Sequence, residues 1–298
     1  KMHACGHDSH MAMVLGAAAL LKEEPPPGNV LLVFQPAEEK GGGARVILRS
    51  GALSGVKAIF GAHVTHHHTV GEIMAKRGIV TAQSDIFTVR IRGSGGHGAR
   101  PHEATDAVII AGFMISALQT LVSRMANPLH PSVVTVGRVQ AGSAANVIAE
   151  DGVLEGTIRT TSPEVREQIL SGFQRIVRGM AELHGAEIDM DLEEGYPPLI
   201  NTDREADLAH RAAMKVTSAQ QVVVDEHPSM GSEDFSYYLE QLPGAYVRIG
   251  ARHPDEEPLA LHSPSFTIDE GALKVGAEFF DAVAREAIAE LKDTLRQK

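Results

Sequence analysis

The sequence is poor in cysteine, in basic residues and in long apolar runs. A single cysteine among 298 residues excludes an intramolecular disulfide and is compatible with a reducing cytoplasm, the expected compartment. Lys and Arg total 27 against 38 Asp and Glu, a formal charge of −11, and that deficit argues against nucleic acid or an anionic membrane as partner. No segment is expected to span a membrane, because the best one, Ala107 to Val122, is interrupted by Gly112, Ser116, Gln119 and Thr120. Internal repeats, low-complexity tracts and a visible signal peptide are also missing. What remains is a globular composition, 43% hydrophobic, with length for two domains of about 100–200 residues each.

Two motifs carry chemistry. The chain opens on Cys5-Gly6-His7-Asp8, and Gln35-Pro36-Ala37-Glu38-Glu39 follows an apolar run. Thiolate, imidazole and carboxylate are the side chains that bind divalent metals of the zinc or manganese kind. Adjacent carboxylates allow a division of labour, one as ligand and one as proton-transfer base, which is the outline of a metal-dependent hydrolase.

The first third alternates helices and strands. Ser9 to Glu23 reads as a helix ended by Pro25-Pro26-Pro27. Asn29 to Phe34 is a continuous apolar run, the pattern of a strand buried in a parallel sheet, which places Glu38-Glu39 at its carboxyl end. Gly41-Gly42-Gly43 leads into a short helix, Ala44 to Ser50. Val56 to His63 reads as a second buried strand with His63 at its carboxyl end.

From about residue 80 the pattern changes. Asp85–Ile91, Ser132–Val139, Gly152–Thr160 and Glu187–Leu192 read as strands, and Ala104 to Met125 as a long helix. Ser162 as N-cap and Pro163 at the first helical position open another helix that runs to about His184. The order β-α-β-β-α-β is the ferredoxin-like unit. Helices at Ala206–Val216 and Leu273–Leu295 and a strand at Ala245–Ile249 then resume the first style. The expected division is 1–80 for the first part of one domain, 81–193 for an inserted domain and 194–298 for the second part.

The 15 histidines need sorting. His7 and His63 stand out by their context, and His262, after a polar loop, is a candidate on weaker grounds. His66-His67-His68 read as a solvated loop after the strand rather than a metal site. His130, His184, His210, His227 and His253 have no constellation. Gly95-Gly96-His97-Gly98-Ala99-Arg100-Pro101-His102 reads equally as a glycine-rich ligand loop or as a simple flexible turn.

These residues, with Met2-His3-Ala4 before and Ser9-His10 after the first motif, Gly61-Ala62-His63-Val64, Asn146-Val147-Ile148, Met230-Gly231-Ser232-Glu233-Asp234-Phe235 and Leu261-His262-Ser263-Pro264-Ser265-Phe266, stand in the order of one family. The chain resembles, over its whole length, the metal-dependent amidohydrolases that include hippurate hydrolases, N-acyl-amino-acid amidohydrolases, auxin-conjugate hydrolases and related carboxypeptidases. The resemblance implies an α/β fold, a zinc-peptidase-like α/β/α catalytic domain with an inserted ferredoxin-like lid through which the chain dimerises. It implies two divalent ions, zinc or manganese with cobalt or nickel also accepted, held by Cys5, His7, Glu39, His63 and His262. Glu38 is then the general base, His97 the stabiliser of the oxyanion and a substrate contact, and Asn146 and Arg159 the grip on the substrate carboxylate. Asp8, Glu233 and Asp234 are expected to orient ligands.

The expected reaction is hydrolysis of the amide bond of a small N-acyl amino acid, of the EC 3.5.1 type. The alternatives are a dipeptidase or carboxypeptidase with the same chemistry, and an inactive fragment or non-catalytic binding relative. The last arises because the family carries a segment before this point, with an Asp-Ala-Leu-Pro-like stretch, so the sequence is expected to be a fragment. Ala149 also stands where the family commonly has Pro.

Overall fold

The structure, a computed structural model, describes residues 2–225 and 227–296. The chain begins with helices α1 (His7–Glu23) and α2 (Gly43–Ser50), followed by strands β1 (Ile59–Thr69), β2 (Ile73–Met74) and β3 (Gly78–Thr81). A middle stretch holds β4 (Gln83–Arg92), β5 (Gly96–His97), α3 (Ala107–Thr120), β6 (Ser132–Ala141), β7 (Val147–Ile148), β8 (Asp151–Thr160), α4 (Pro163–His184) and β9 (Glu187–Glu194). The chain ends with β10 (Leu199–Asn201), α5 (Asp203–Val216), β11 (Val222–Val223), α6 (Ser236–Leu239), β12 (Gly244–Arg252) and α7 (Gly271–Arg296). Two compact units result, one of residues 2–80, 199–225, 227 and 234–296, the other of Thr81–Pro198 with Pro228–Glu233. The second unit thus runs to Pro198 rather than to residue 193, and it takes in a short segment from the last third of the chain.

The first unit is α/β. Its sheet has the order β1-β12-β2-β11, with β1 parallel to β12 and β12 antiparallel to β2. Helix α7 packs between α1 and α5, with α1 and α7 against β1 and α5 and α7 against β12. Met13, Val64, Val247, Ile249 and Phe279 are buried where these layers meet. Each carries enough apolar surface to contribute about 1.5–3 kcal/mol on burial. Lys215 and Arg211 on α5 both pair with Glu286 on α7, the arginine at 3.0 Å.

Two expectations fail in this unit. Residues 29–34 form no strand: no ladder hydrogen bonds join them to another strand among the described residues, and Leu31 and Phe34 are exposed. An apolar run records the wish to be buried but not which strand lies beside it. Strand β1 also runs past His63 to Thr69, so His66, His67 and His68 lie in a strand rather than in a loop. The three histidines form an irregularity in the pairing with β12, and the flanking pairs Thr65 with Gly250 and Thr69 with Arg252 keep the run extended.

The second unit is the expected β-α-β-β-α-β arrangement, an antiparallel sheet in the order β6-β8-β4-β9. Along β4 buried and exposed residues alternate, and Phe87, Val89 and Ile91 meet Ile110, Met114 and Leu118 of α3 and Ile169 and Phe173 of α4 in one core. Helix α4 starts where its sequence dictates, with Ser162 Oγ accepting from Val165 N–H at 3.4 Å. Helix α3 starts later than Ala104 because the Asp106 carboxylate accepts the N–H groups of Val108 and Ile109, and its last turn, Leu121–Met125, widens to a π-helix. Contrary to the expectation from its interruptions, Ala107–Met125 is long and apolar enough to cross a membrane by length and composition alone. Its Ile110, Met114 and Leu118 are buried in the core of this unit.

Candidate metal centre

Helix α1 begins at His7, and the residue before it is the reason the motif reads Cys-Gly-His. Gly6 has φ +80°, and a Cβ there would lie 2.5 Å from Val64 Cγ2. Only glycine combines that left-handed turn with so close an approach to β1. The turn carries Cys5 to 3.4 Å, Sγ to Nε2, from His63 on β1.

His63 is buried, and its Nδ1–H donates to the carbonyl of Val64 at 2.6 Å. That bond puts the proton on Nδ1 and leaves Nε2 bare on the side facing Cys5, the tautomer a metal ligand requires. Burial lowers its pKa from the ordinary 6.5 to about 4, against the upward pull of the Val64 bond, so the ring is neutral at physiological pH.

Glu38 and Glu39 sit in a tight turn immediately before α2. Asp234 holds this turn at both ends: its buried carboxylate accepts the Gln35 side-chain amide at 2.8 and 2.9 Å and the N–H of Ala44 at 3.1 Å. Gly43 lets the turn close, because a Cβ there would meet the carbonyl oxygen of Pro36 at 1.7 Å. Within the turn Ala37 has φ 58°, a left-handed conformation that costs a non-glycine residue about 1–2 kcal/mol. The only other non-glycine residue with positive φ among those described is His262, at 65°. Both strained residues belong to the candidate site, where such strain collects.

His262 reaches the site through its backbone, whose N–H donates to Ala4 O at 2.8 Å. Its Nε2 lies 3.9 Å from a Glu39 oxygen, and His7 Nε2 lies 3.7 Å from a Glu38 oxygen. Three donor sets converge so that, within each, the donor atoms lie within 4.8 Å of one another: Cys5, His7 and His63; Cys5, Glu39 and His262; His7, Glu38 and Glu39. All five expected ligands and the expected base therefore come together, with Cys5, His7 and Glu39 each in two sets. A mixed thiolate, imidazole and carboxylate set with overlapping members suits a pair of divalent ions of the zinc or manganese kind. Cys5, His7, Glu39 and His262 line an open cleft of about 400 Å³.

Three neighbours lie within the quoted motifs but receive no role from the sequence. His3 lines the same cleft, His10 packs on His63, and Gln35 is the partner of Asp234. Their signal was proximity in sequence to a ligand or to the base, which by itself does not say which way a side chain points. Of the residues expected to orient ligands, Asp234 clamps the turn that carries Glu39, Asp8 is exposed and accepts its neighbour's N–H at 2.9 Å, and Glu233 packs with the second unit.

Within the second unit His97 and Asn146 are brought together. His97 pairs with Val147 across β5 and β7, and Gly98 N–H donates to Asn146 O at 2.8 Å. Gly96 and His97 are thus tied into a two-stranded ladder, and the chain turns after them into Pro101–Glu103. Arg159 lies on β8, and its guanidinium donates to the carbonyl of Met230 at 3.0 Å.

The model of peptidase family M20/M25/M40 matches residues 1–286. The chain is 41% identical over 281 residues to the N-acetyl-L-cysteine deacetylase of Bacillus subtilis, covering 94% of this chain and 66% of that one. It is 39% identical over 309 residues to IAA-amino acid hydrolase ILR1-like 4 of Arabidopsis thaliana, covering 100% of this chain and 69% of the relative. The solved structure of a dinuclear metal binding peptidase of the M20 family from Bacillus subtilis superposes with a TM-score of 0.80 at 35% identity, over 97% of this chain and 74% of that one. The chain spans between 66% and 74% of the length of these three proteins. It belongs to peptidase family M20/M25/M40 and is a metal-dependent, amide-bond-cleaving amidohydrolase on the fold of the family's dinuclear metal peptidases.

Proposed function

We propose that the protein cleaves the amide bond of N-acyl amino acids, with Cys5, His7, Glu39, His63 and His262 holding two divalent ions and Glu38 as general base. The observation that carries this reading is the convergence of three donor sets that share Cys5, His7 and Glu39, with Glu38 beside His7. When bound, the ions acidify a water and polarise the amide carbonyl. Glu38 takes the water's proton on its carboxylate and delivers it to the nitrogen of the departing amino acid. Cys5 serves as thiolate, and His63 as the neutral Nδ1–H tautomer. The deacetylase and the auxin-conjugate hydrolase among its relatives support an N-acyl amino acid as substrate.

The remaining assignments concern the second unit. His97 is proposed to stabilise the oxyanion, and Asn146 and Arg159 to bind the substrate carboxylate, a role for which guanidinium suits two-point contact. The second unit is also the proposed dimerisation surface. Val108, Ile109 and Phe113 form an exposed apolar stripe on α3, and β6 is the end strand of its sheet. The test is a panel of N-acetyl, N-benzoyl and indole-acetyl amino acids and dipeptides, assayed with zinc- and manganese-loaded protein. The reading requires metal-dependent release of the amino acid from at least one N-acyl substrate. Cleavage confined to dipeptides would replace it by a peptidase.

A further inference from the structure

Two imidazoles take both backbone polar groups of Val64. His10 Nε2 lies 3.0 Å from Val64 N and accepts its N–H, while His63 Nδ1 donates to the Val64 carbonyl at 2.6 Å. A ring that accepts at Nε2 carries its proton on Nδ1, so His10 is held as the neutral Nδ1–H form. His63 takes the same tautomer for the opposite reason, as a donor at Nδ1, and its bare Nε2 faces Cys5. The two rings are in edge contact, with centroids 4.4 Å apart and planes at 64°. His10 follows His7 by one helical turn, so α1 presents both to β1, with ring centroids 5.6 Å apart.

We infer that His10 is a positioning residue of the metal centre. It bolts the start of α1, which carries Cys5 and His7, to the strand that carries His63, and it braces the His63 ring in the orientation a ligand needs. It is no ligand itself: its Nε2 is committed to Val64, and it belongs to none of the donor sets among the described residues. β1 is the end strand of its sheet, so Val64 meets His10 and His63 on the side away from β12, and losing the acceptor at residue 10 leaves the Val64 N–H without that bond. The start of α1 would then lose this hydrogen bond to the backbone of β1, and the cost would fall on the metal rather than only on the fold. This inference rests on the proposed ligand set.

The experiment is cobalt titration of the wild-type protein, His10→Phe and His10→Gln, followed by visible absorption and by metal content after dialysis. Phe keeps the ring and removes the acceptor; the Gln Oε1 takes the place of Nε2 and restores it. Wild-type protein that binds no cobalt overturns the metal reading itself. With wild-type binding in hand, His10→Phe is expected to bind cobalt roughly 10–100-fold more weakly, the scale for groups supporting ligands, with an altered thiolate-to-cobalt band. His10→Gln is expected to recover most of the affinity and the wild-type spectrum. Equal affinity and spectrum in folded His10→Phe, or a Gln variant as weak as the Phe variant, overturns the role given to His10. A test on the wild-type protein holds even where His10→Phe does not fold. Long-range proton–nitrogen spectra of the imidazoles must show His10 as Nδ1–H with Nε2 unprotonated, and an Nε2–H form overturns the inference.

Discussion

The sulfur of Cys5 lies 3.4 Å from Nε2 of His63, although 58 residues separate them in sequence. The contact exists because Gly6 turns the chain into α1 against β1 and because the Val64 carbonyl fixes the His63 tautomer. Cys5 also belongs to the set with Glu39 and His262, so a single thiolate stands at the junction of the cluster. Cys5→Ala is expected to reduce the bound metal from two ions per chain towards one, with activity lost in proportion. Elemental analysis of dialysed protein checks it.

Gly6→Ala tests the turn. The added methyl meets Val64 Cγ2 at 2.5 Å in a conformation that L-residues avoid. The two penalties together are expected to cost about 2–4 kcal/mol, read from denaturant unfolding of the metal-free variant.

Asp234→Asn tests the clamp on the carboxylate turn. The buried carboxylate accepts from the side-chain amide nitrogen of Gln35 through both oxygens and from the N–H of Ala44. An amide in its place turns a donor towards a donor, at an expected cost of about 1–3 kcal/mol. Because the turn carries Glu38 and Glu39, kcat is expected to fall more than KM rises. Steady-state kinetics on the folded variant separates the two.

Acid should loosen the metal-free protein through the buried imidazoles. Burial depresses the pKa of His63 to about 4, and His10 is pushed well below 6.5 by burial and by the nearby His63 and His7. In the unfolded chain both titrate near 6.5, so between about pH 6.5 and pH 4 the unfolded state binds more protons than the folded one. Stability is therefore complete above about pH 6.5 and falls as pH drops towards 4. His63 alone accounts for roughly 3 kcal/mol of that fall. Melting temperatures of metal-free protein across this range check the direction.

How much of this was legible in the sequence depends on which information each feature needs. The helix at Pro163 carries its own signal in Ser162 and Pro163, and the alternation of β4 shows its buried face, so the inserted unit could be read strand by strand. The ligand types were legible because cysteine, histidine and adjacent glutamates recur in one family order. Residues 29–34 were misread because a strand is made by its neighbour, and the run of valine and leucine names none. His66-His67-His68 depart in the other direction, since the pairing of the flanking Thr65 and Thr69 with β12 overrides the loop-like polarity of the run. The closeness of His262 to Cys5 rests on one backbone bond, His262 N–H to Ala4 O, which no local pattern announces. The same holds for His10, whose importance lies in a bond to a backbone N–H across 54 positions of sequence.

The measurement that bears most directly on the account is Glu38→Gln, assayed together with metal content. Glu38 is cast as the proton carrier beside the ions, so the isosteric amide should keep two ions per chain and the melting temperature while kcat falls by about 100-fold or more. Full activity with both ions bound would contradict the assignment of the base. Loss of an ion in place of the proton transfer would make Glu38 a ligand, and the division of labour between the two carboxylates would be wrong.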